Sequence, residues 1–270
     1  MKILHRLKEL VMKFKFVGLF VGLMLFGSVA SAKKWSKLRI GVEGAYPPFS
    51  QVSPSGELSG FDIDIAKALC AELKLKCSLV PQDWDGMIPA LQARKFDAII
   101  ASMSITEDRK KKVAFTNKYY RTPARFVRKI GSKVVLTKVG LKGKSVGIQR
   151  GTIHEKFIRG EFPDLQIKTY ATQDEAYLDM RAGRVDLLIA DYIALRMGFL
   201  ETKEGKKYEF FGPEYTQVKY FGEGAGIAIR KKDQELVNLL NSGIDKIRKN
   251  GKYEAIRKKY FNFDIYGSSL

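Results

Sequence analysis

The residue types that serve most often in enzyme catalysis are scarce in this sequence. The 270 residues contain two histidines, and only His154 lies beyond the first 32 residues. No H-E-x-x-H motif occurs. One histidine and two cysteines seven residues apart do not form a metal-ligand set. We therefore expect a protein that is not an enzyme and that requires no metal or cofactor.

Two segments share a plan that places polar groups at the ends of two strands. "ARKFDAIIAS" (93–102) and "AGRVDLLIAD" (182–191) each contain a helix end, a basic residue, an aspartate and an apolar strand. In open α/β sheets, ligands lie beyond the carboxyl ends of the strands. The repeat therefore directs Ser102 and Asp191, one from each of two lobes, toward one cleft. Chance similarity of two βα units is the alternative, and for Asp191 a simple N-cap of the next helix.

Strand and helix patterns alternate along the chain, which predicts an α/β fold with largely parallel sheets. The predicted strands are residues 38–42, 77–81, 96–102, 145–149 and 185–190. The predicted helices are residues 61–73, 84–94, 154–160, 174–183 and 191–200, with a further helix opening at residues 106–108.

The first 32 residues are typical of a secretory signal. A basic start precedes the apolar stretch from Phe16 to Phe26, and Ala30-Ser31-Ala32 supplies an A-x-A cleavage site. An uncleaved anchor is the alternative. Export would place Cys70 and Cys77 in a compartment that permits disulfides, and a helix–turn–strand hairpin can bring them together. Two buried free thiols are the other interpretation.

The formal net charge of +19 raises nucleic acid or an anionic membrane surface as partners. The basic residues are scattered, however, and the densest clusters lie at residues 109–112 and 230–232 without interleaved aromatic residues. A solvated basic surface is the favoured interpretation, and we expect no nucleic-acid binding.

Several segments together resemble the periplasmic solute-binding proteins for polar amino acids that feed ABC importers, in particular the arginine-binding and lysine/arginine/ornithine-binding group. The segments are "GVEGAYPPFS", "GFDIDIAKALCAELKLKC", "ASMSITEDRKKKVAFT", "GKSVGIQRGTIHEKFI", "DLLIADY" and "GKYEAIRKKYFNF". The resemblance covers nearly the whole chain after the signal. It implies two α/β lobes, with mixed or parallel sheets, joined by two hinge strands around a ligand.

The resemblance also implies domain boundaries. Residues 33–121 and 222–270 would form a discontinuous lobe 1, and residues 125–217 would form lobe 2. The hinges would lie at about residues 121–124 and 216–224.

The resemblance assigns roles to groups that bind the α-carboxylate and α-ammonium of an amino acid. Arg109 would bind the carboxylate through two parallel hydrogen bonds. Ala101, Ser102 and Ser104 would line this part of the site, the serines with hydroxyl or backbone N–H donors. Thr152 would cap its helix and present amides to the same carboxylate, and Asp191 would bind the α-ammonium. Taken from sequence alone, Arg109 could equally be a surface residue in a basic run.

The remaining implied site residues would contact the ligand side chain. Tyr46 and Trp84 would enclose its methylenes, although packing in the core competes with this role. Gln149 and His154 would line the second lobe. Glu43 would pair with a cation, because cationic-ligand members of the family carry an acid at this position; an exposed strand-end glutamate is the alternative.

Arginine is the favoured ligand, with lysine, ornithine and histidine as related choices. Other polar amino acids such as cystine or glutamine form a second choice, since Glu43 also occurs in relatives that bind them. Two further classes remain: a cyclohexadienyl-dehydratase-like enzyme using Glu43 and His154, and a sensor or adhesive surface protein. The expected partner is the membrane permease of an ABC importer, and the protein is expected to be a periplasmic monomer.

Overall fold

The computed structural model describes residues 35–267. The predicted signal peptide and its cleavage site after Ala32 lie outside the described residues. Within the described part of the chain, no helix is both long enough and apolar enough to cross a membrane.

Two five-stranded sheets and one small three-stranded sheet form the framework. The strands are β1 (Lys37–Val42), β2 (Ala45–Tyr46), β3 (Ser50–Val52), β4 (Leu58–Ser59), β5 (Lys76–Pro81), β6 (Ala98–Ile99), β7 (Ala114–Tyr120), β8 (Ala124–Lys129), β9 (Ser145–Gln149), β10 (Gln166–Tyr170), β11 (Leu187–Asp191), β12 (Tyr208–Tyr215) and β13 (Ala225–Ile229).

Most helices are short, and they connect these strands. They are α1 (Phe61–Glu72), α2 (Met87–Gln92), α3 (Glu107–Lys110), α4 (Lys138–Leu141), α5 (Ile153–Glu161), α6 (Gln173–Arg181), α7 (Tyr192–Leu195), α8 (Val218–Phe221), α9 (Gln234–Lys249) and α10 (Lys252–Tyr260). Single turns of 3₁₀ helix span Trp84–Gly86 and Glu204–Lys207, and a π-helical turn spans Arg196–Leu200.

The two large sheets repeat one topology. The first has the order β5-β1-β6-β13-β7 and the second the order β10-β9-β11-β8-β12. In both, the first three strands are parallel and the fourth is antiparallel to the third. Each sheet has its own hydrophobic core. The two-lobed α/β architecture with mixed sheets is therefore confirmed.

The chain passes between the sheets twice, through residues 121–123 between β7 and β8 and through residues 216–224 between β12 and β13. These segments coincide with the two predicted hinges. Their function as hinges stays a prediction, as do the lobe boundaries drawn from them.

An aspartate performs the same structural task in both sheets. Asp97 accepts a hydrogen bond from the backbone N–H of Arg39 at 3.2 Å, and Asp186 accepts one from Ser145 at 2.8 Å. Each carboxylate, just before its own strand, thus holds the neighbouring parallel strand. The aspartates are the ones shared by the two repeated segments, so the sequence repeat corresponds to a structural one.

The third strand of the first sheet is shorter than predicted. Residues 96–102 were expected to be extended, but β6 comprises only Ala98–Ile99. The strand ends at Ile99, and farther on Ser102 has a φ of +53°, in the left-handed region, so the predicted strand could not have extended to that residue. Ser104 forms an isolated antiparallel bridge with Ala225 of β13, so the chain stays with the first sheet.

A disulfide joins Cys70 of α1 to Cys77 of β5, with the two Cα atoms 6.1 Å apart. The alternative of two free thiols is therefore wrong. On α1, Ile65, Leu69 and Cys70 are buried together, as the helical spacing predicts. The bond fixes the end of this helix to the edge strand of the first sheet.

Candidate functional site

A cavity lies between the two large sheets. Its lining includes all eleven residues predicted for a binding site, and two more: Glu43, Tyr46, Trp84, Ala101, Ser102, Ser104, Arg109, Gln149, Thr152, Ile153, His154, Gln173 and Asp191. Both lobes contribute, so the cavity exists only where they meet. That these residues bind a ligand stays a prediction.

The position of Ser102 is fixed by a buried carboxylate below it. The hydroxyl of Ser102 donates to Asp62 at 3.0 Å, and the Tyr119 hydroxyl donates to the other oxygen of Asp62 at 2.9 Å. The backbone N–H of Ser102 in turn donates to the Tyr119 hydroxyl at 3.3 Å. These bonds hold a serine in a left-handed backbone conformation that would otherwise be disfavoured.

Arg109 extends from the short helix α3, whose N-cap Thr106 accepts a hydrogen bond from the Arg109 backbone. Its guanidinium donates to the Ser104 carbonyl at 3.0 Å and lies over the Trp84 ring at 5.1 Å. Burial lowers the pKa of Arg109 to about 10, and the charge of Asp191 partly opposes this shift. No carboxylate among residues 35–267 forms an ion pair with Arg109. The arginine is therefore a half-buried cation whose charge is available to an anion.

Asp191 ends β11 and lies at the N-cap position of α7, but its side chain makes no capping hydrogen bond. Instead its carboxylate accepts a hydrogen bond from the Tyr46 hydroxyl at 2.7 Å and lies 3.6 Å from Nε2 of His154. The simple capping interpretation is therefore wrong. Asp191 is a buried carboxylate that faces the cavity and that contacts the opposite lobe through Tyr46.

Thr152 caps α5, as predicted, since its hydroxyl accepts from the backbone N–H of Glu155 at 3.4 Å. The same hydroxyl donates to the Gln149 carbonyl at 2.8 Å. Thr152 therefore orients the start of the helix at the cavity wall. His154 follows in the first turn; it is buried, and its Nε2 has no hydrogen-bond partner among the described residues.

Glu43 occupies another part of the cavity. Its carboxylate accepts a hydrogen bond from Nε2 of Gln149 at 2.5 Å, and Gln149 also donates to the Ala171 carbonyl. Burial raises the pKa of Glu43 to about 7; the bond from Gln149 opposes this, and the charges of Asp62, Asp174 and Asp83 add to it. A carboxylate in such surroundings is stabilised by a cation. The exposed strand-end interpretation of Glu43 is wrong, because its side chain lines the cavity.

Further contacts join the two lobes at the mouth of the cavity. Trp84 donates from its indole to the Gly151 carbonyl at 3.3 Å, and Arg150 forms an ion pair with Asp85 at 2.6 Å. A second ion pair joins Lys156 to Asp108. The structure thus shows the lobes closed over the cavity.

The sequence matches the family model of bacterial extracellular solute-binding proteins, family 3, over residues 38–263. The chain belongs to this family. It is 52% identical over 234 residues to the L-arginine-binding protein of Pseudomonas aeruginosa, which covers 86% of this chain and 90% of the relative. It is 43% identical over 233 residues to the histidine-binding periplasmic protein of Salmonella typhimurium, covering 86% and 90%.

Solved structures agree with this assignment. A Salmonella typhimurium periplasmic binding protein with high arginine specificity superposes with a TM-score of 0.78 and 31% identity, over 84% of this chain and 99% of the other. These relatives are solute-binding proteins, so the expectation of a binding protein rather than an enzyme is confirmed. Within residues 35–267, no group of three or more histidine, cysteine, aspartate or glutamate side chains could hold a metal ion.

The sequence analysis did not predict three residues that line the cavity or support its wall. Gln173 is 2% exposed and lines the cavity, and its side-chain nitrogen has no hydrogen-bond partner within residues 35–267. Ile153 adds an apolar contact surface, and Asp62 supports Ser102 from below. Ligands lie beyond the carboxyl ends of strands in open α/β sheets, and Gln173 follows the end of β10 by three residues. This rule could therefore have indicated Gln173. Asp62 carried a weaker signal: an acid within the apolar pattern of α1.

Proposed function

We propose that this protein binds a basic amino acid, with L-arginine as the preferred ligand, and delivers it to an ABC importer. The proposal depends on one observation, the set of charged side chains that line the cavity. Glu43 and Asp191 supply two carboxylates and Arg109 one guanidinium, all three lining one enclosed space. A zwitterion with one further cationic group would match these charges.

Each charged group of such a ligand has a counterpart. Arg109, held by Ser104 and stacked on Trp84, would bind the α-carboxylate through its planar guanidinium. Asp191, oriented by the Tyr46 hydroxyl, would bind the α-ammonium. Glu43 would bind the side-chain cation. Glu43 and Arg109 share no hydrogen bond or ion pair, which leaves both available to the ligand.

The names of the relatives support a basic ligand. Similar proteins are described as binding L-arginine, histidine, or lysine, arginine and ornithine. A neutral amino acid such as glutamine would leave the Glu43 carboxylate without a cation in a site that disfavours its charge. Lysine, ornithine and histidine would satisfy the same charges, with a geometry different from that of the guanidinium.

Transport would follow from closure of the two lobes. Each lobe supplies part of the site, so the closed state would be most stable with ligand engaged by both. We propose export to the periplasm with cleavage after Ala32, action as a monomer, and release of the ligand to a membrane permease. An intact mass that retains the signal residues after export would contradict the cleavage proposal.

Calorimetric titration of the exported protein against the twenty amino acids and ornithine tests the ligand assignment. We expect arginine to bind most tightly, other basic amino acids more weakly, and neutral ones at least about tenfold more weakly than arginine. Tight binding of glutamine or cystine with no binding of arginine would contradict the assignment.

A further inference from the structure

One surface of lobe 2 combines exposed aliphatic side chains with lysines, and the amino-acid site does not explain it. It lies in residues 129–142, between β8 and β9. We name it the apolar-basic tip and define it by six residues: Lys129, Ile130, Lys133, Val135, Val139 and Lys142. Val139 is 88% exposed, Val135 56% and Ile130 54%.

The three aliphatic residues project from the segment that connects β8 to β9. Val134 and Leu141 are buried beneath it, and Arg128 donates to the Val134 carbonyl at 2.8 Å. Val135 lies against Gly140 of α4, the short helix that also carries Val139. Because neighbouring residues of the same loop fold into the core, the outward position of these valines is fixed by the fold.

The charge around the tip has one sign. No aspartate or glutamate occurs between Asp108 and Glu155, a stretch that contains fourteen lysines and arginines. Lys129, Lys133 and Lys142 are exposed and form no ion pair with any residue of the described chain. By contrast, nearby Lys144 is paired with Asp186 at 3.4 Å. The tip therefore presents cations that internal acids do not neutralise.

The tip is remote from the cavity. Asp191 pairs with Ala124 at one end of β8, while Lys129 ends the strand, five residues on. At about 3.3 Å per residue, this separates them by roughly 17 Å. A surface that contacts the tip would therefore leave the cleft free.

We infer that the apolar-basic tip docks on an anionic phospholipid surface. Its cations would attract acidic headgroups, each lysine contributing roughly a fivefold gain near such a surface, and the aliphatic side chains would enter the headgroup boundary. A purely acidic protein partner would use the lysines but would gain little from three projecting aliphatic residues. Docking would concentrate the protein on a membrane without changing its amino-acid site.

Vesicle co-sedimentation tests this with exported protein whose N-terminus has been verified by mass. We expect binding to phosphatidylglycerol vesicles, weakening as salt rises, and little binding to phosphatidylcholine vesicles. The double variants Lys133→Gln/Lys142→Gln and Val135→Ser/Val139→Ser should each lose about tenfold or more in affinity for the anionic vesicles.

Matched controls lie elsewhere on the chain. Lys231→Gln/Lys232→Gln removes two exposed lysines of lobe 1, and Val218→Ser/Leu178→Ser removes two exposed aliphatic residues outside the tip, Leu178 in lobe 2 and Val218 in the second passage between the lobes. Both should bind vesicles within about twofold of wild type, and all variants should retain arginine binding. Absence of vesicle binding, or an equal loss in the lysine control, would overturn the inference. The inference would also be wrong if the valine variant bound vesicles as wild type does and soluble polyglutamate abolished that binding. Such a result would indicate that the tip is attracted to any polyanion by charge alone.

Discussion

At the scale of single residues, the site divides into groups that every amino acid would engage and groups that only some would engage. Asp191 and Arg109 would face the parts common to all amino acids, while Glu43 would face the side chain. The contacts reflect this division. Both acids are held from the opposite lobe, Asp191 by Tyr46 and Glu43 by Gln149, but Glu43 also lies among other carboxylates.

Substitution of the two acids should separate these roles. Truncating one partner of a desolvated charge pair costs about 2–5 kcal/mol. Glu43→Gln should therefore weaken arginine binding by more than about tenfold and scarcely change the weak binding of neutral amino acids. Asp191→Asn should weaken binding of all of them. Calorimetry on both variants measures this, and wild-type arginine affinity in Glu43→Gln would remove the main support for a cationic ligand.

The raised pKa of Glu43 predicts a pH dependence of binding. The free protein binds a proton at Glu43 with a pKa of about 7, and a bound cation would lower that pKa. Arginine binding therefore releases a proton near neutral pH, and affinity falls as pH decreases. Between about pH 8 and pH 6 the loss should approach tenfold.

Glu43→Gln provides the control for this titration, because it lacks the proton to be released. Its weaker arginine affinity should change much less over the same range. Asp62, whose burial also raises its pKa to about 7, does not line the cavity and should contribute only a residual dependence. An equally steep profile in the variant would contradict the assignment to Glu43.

At the scale of secondary-structure elements, the repeated aspartates secure the strands whose ends form the site. Asp186 holds β9 through Ser145, by both the backbone N–H and the hydroxyl. Asp97 holds β1 through Arg39 and also pairs with the buried Arg230 at 3.0 Å. The two positions are alike in the fold, but only Asp97 compensates a buried cation.

Substitution of the two aspartates should therefore lower the stability of the protein by different amounts. Asp186→Asn should lower the free energy of unfolding by about 1–3 kcal/mol, the cost of a poorly satisfied buried donor. Asp97→Asn should cost more, about 2–4 kcal/mol, because it removes one of the two carboxylates that pair with the buried Arg230, while Asp233 at 2.7 Å remains. Urea unfolding measures both changes. Asp245→Asn, at an exposed position of α9, should leave stability within about 0.5 kcal/mol; equal losses at Asp97 and Asp186 would contradict the role given to Arg230.

At the scale of the whole molecule, two separate cores are joined by two chain passages and by polar contacts at the cleft. Those contacts include Tyr46 with Asp191, Trp84 with Gly151 and Asp85 with Arg150. Apolar packing contributes as well, because Ile193 and Ala194 of lobe 2 belong to the hydrophobic cluster of the first sheet. A ligand that bridges both lobes would add to these contacts.

Small-angle X-ray scattering should therefore detect compaction on ligand addition. We expect the radius of gyration of the exported protein to fall when arginine is added and to stay unchanged with an amino acid that does not bind. Asp191→Asn should require a higher arginine concentration for the same compaction. Tight calorimetric binding without any change in the radius of gyration would show that closure is not coupled to the ligand.

The sequence by itself determined the repeated α/β pattern and the end of β11 that bears Asp191, whereas Ser102 lies three residues beyond the end of β6. These features are local, because periodicity and turn chemistry depend on neighbouring residues. Glu43 and Arg109 became site residues through resemblance, since taken alone each could have been an exposed charge.

Only the tertiary structure decided which partners these residues have. It showed that Asp191 accepts from Tyr46 instead of capping α7, that Asp62 supports Ser102 in a left-handed conformation, and that Gln173 lines the cavity. Tyr46 and Asp191 are 145 residues apart. Contacts over such separations depend on how two sheets pack, and no local pattern encodes that packing.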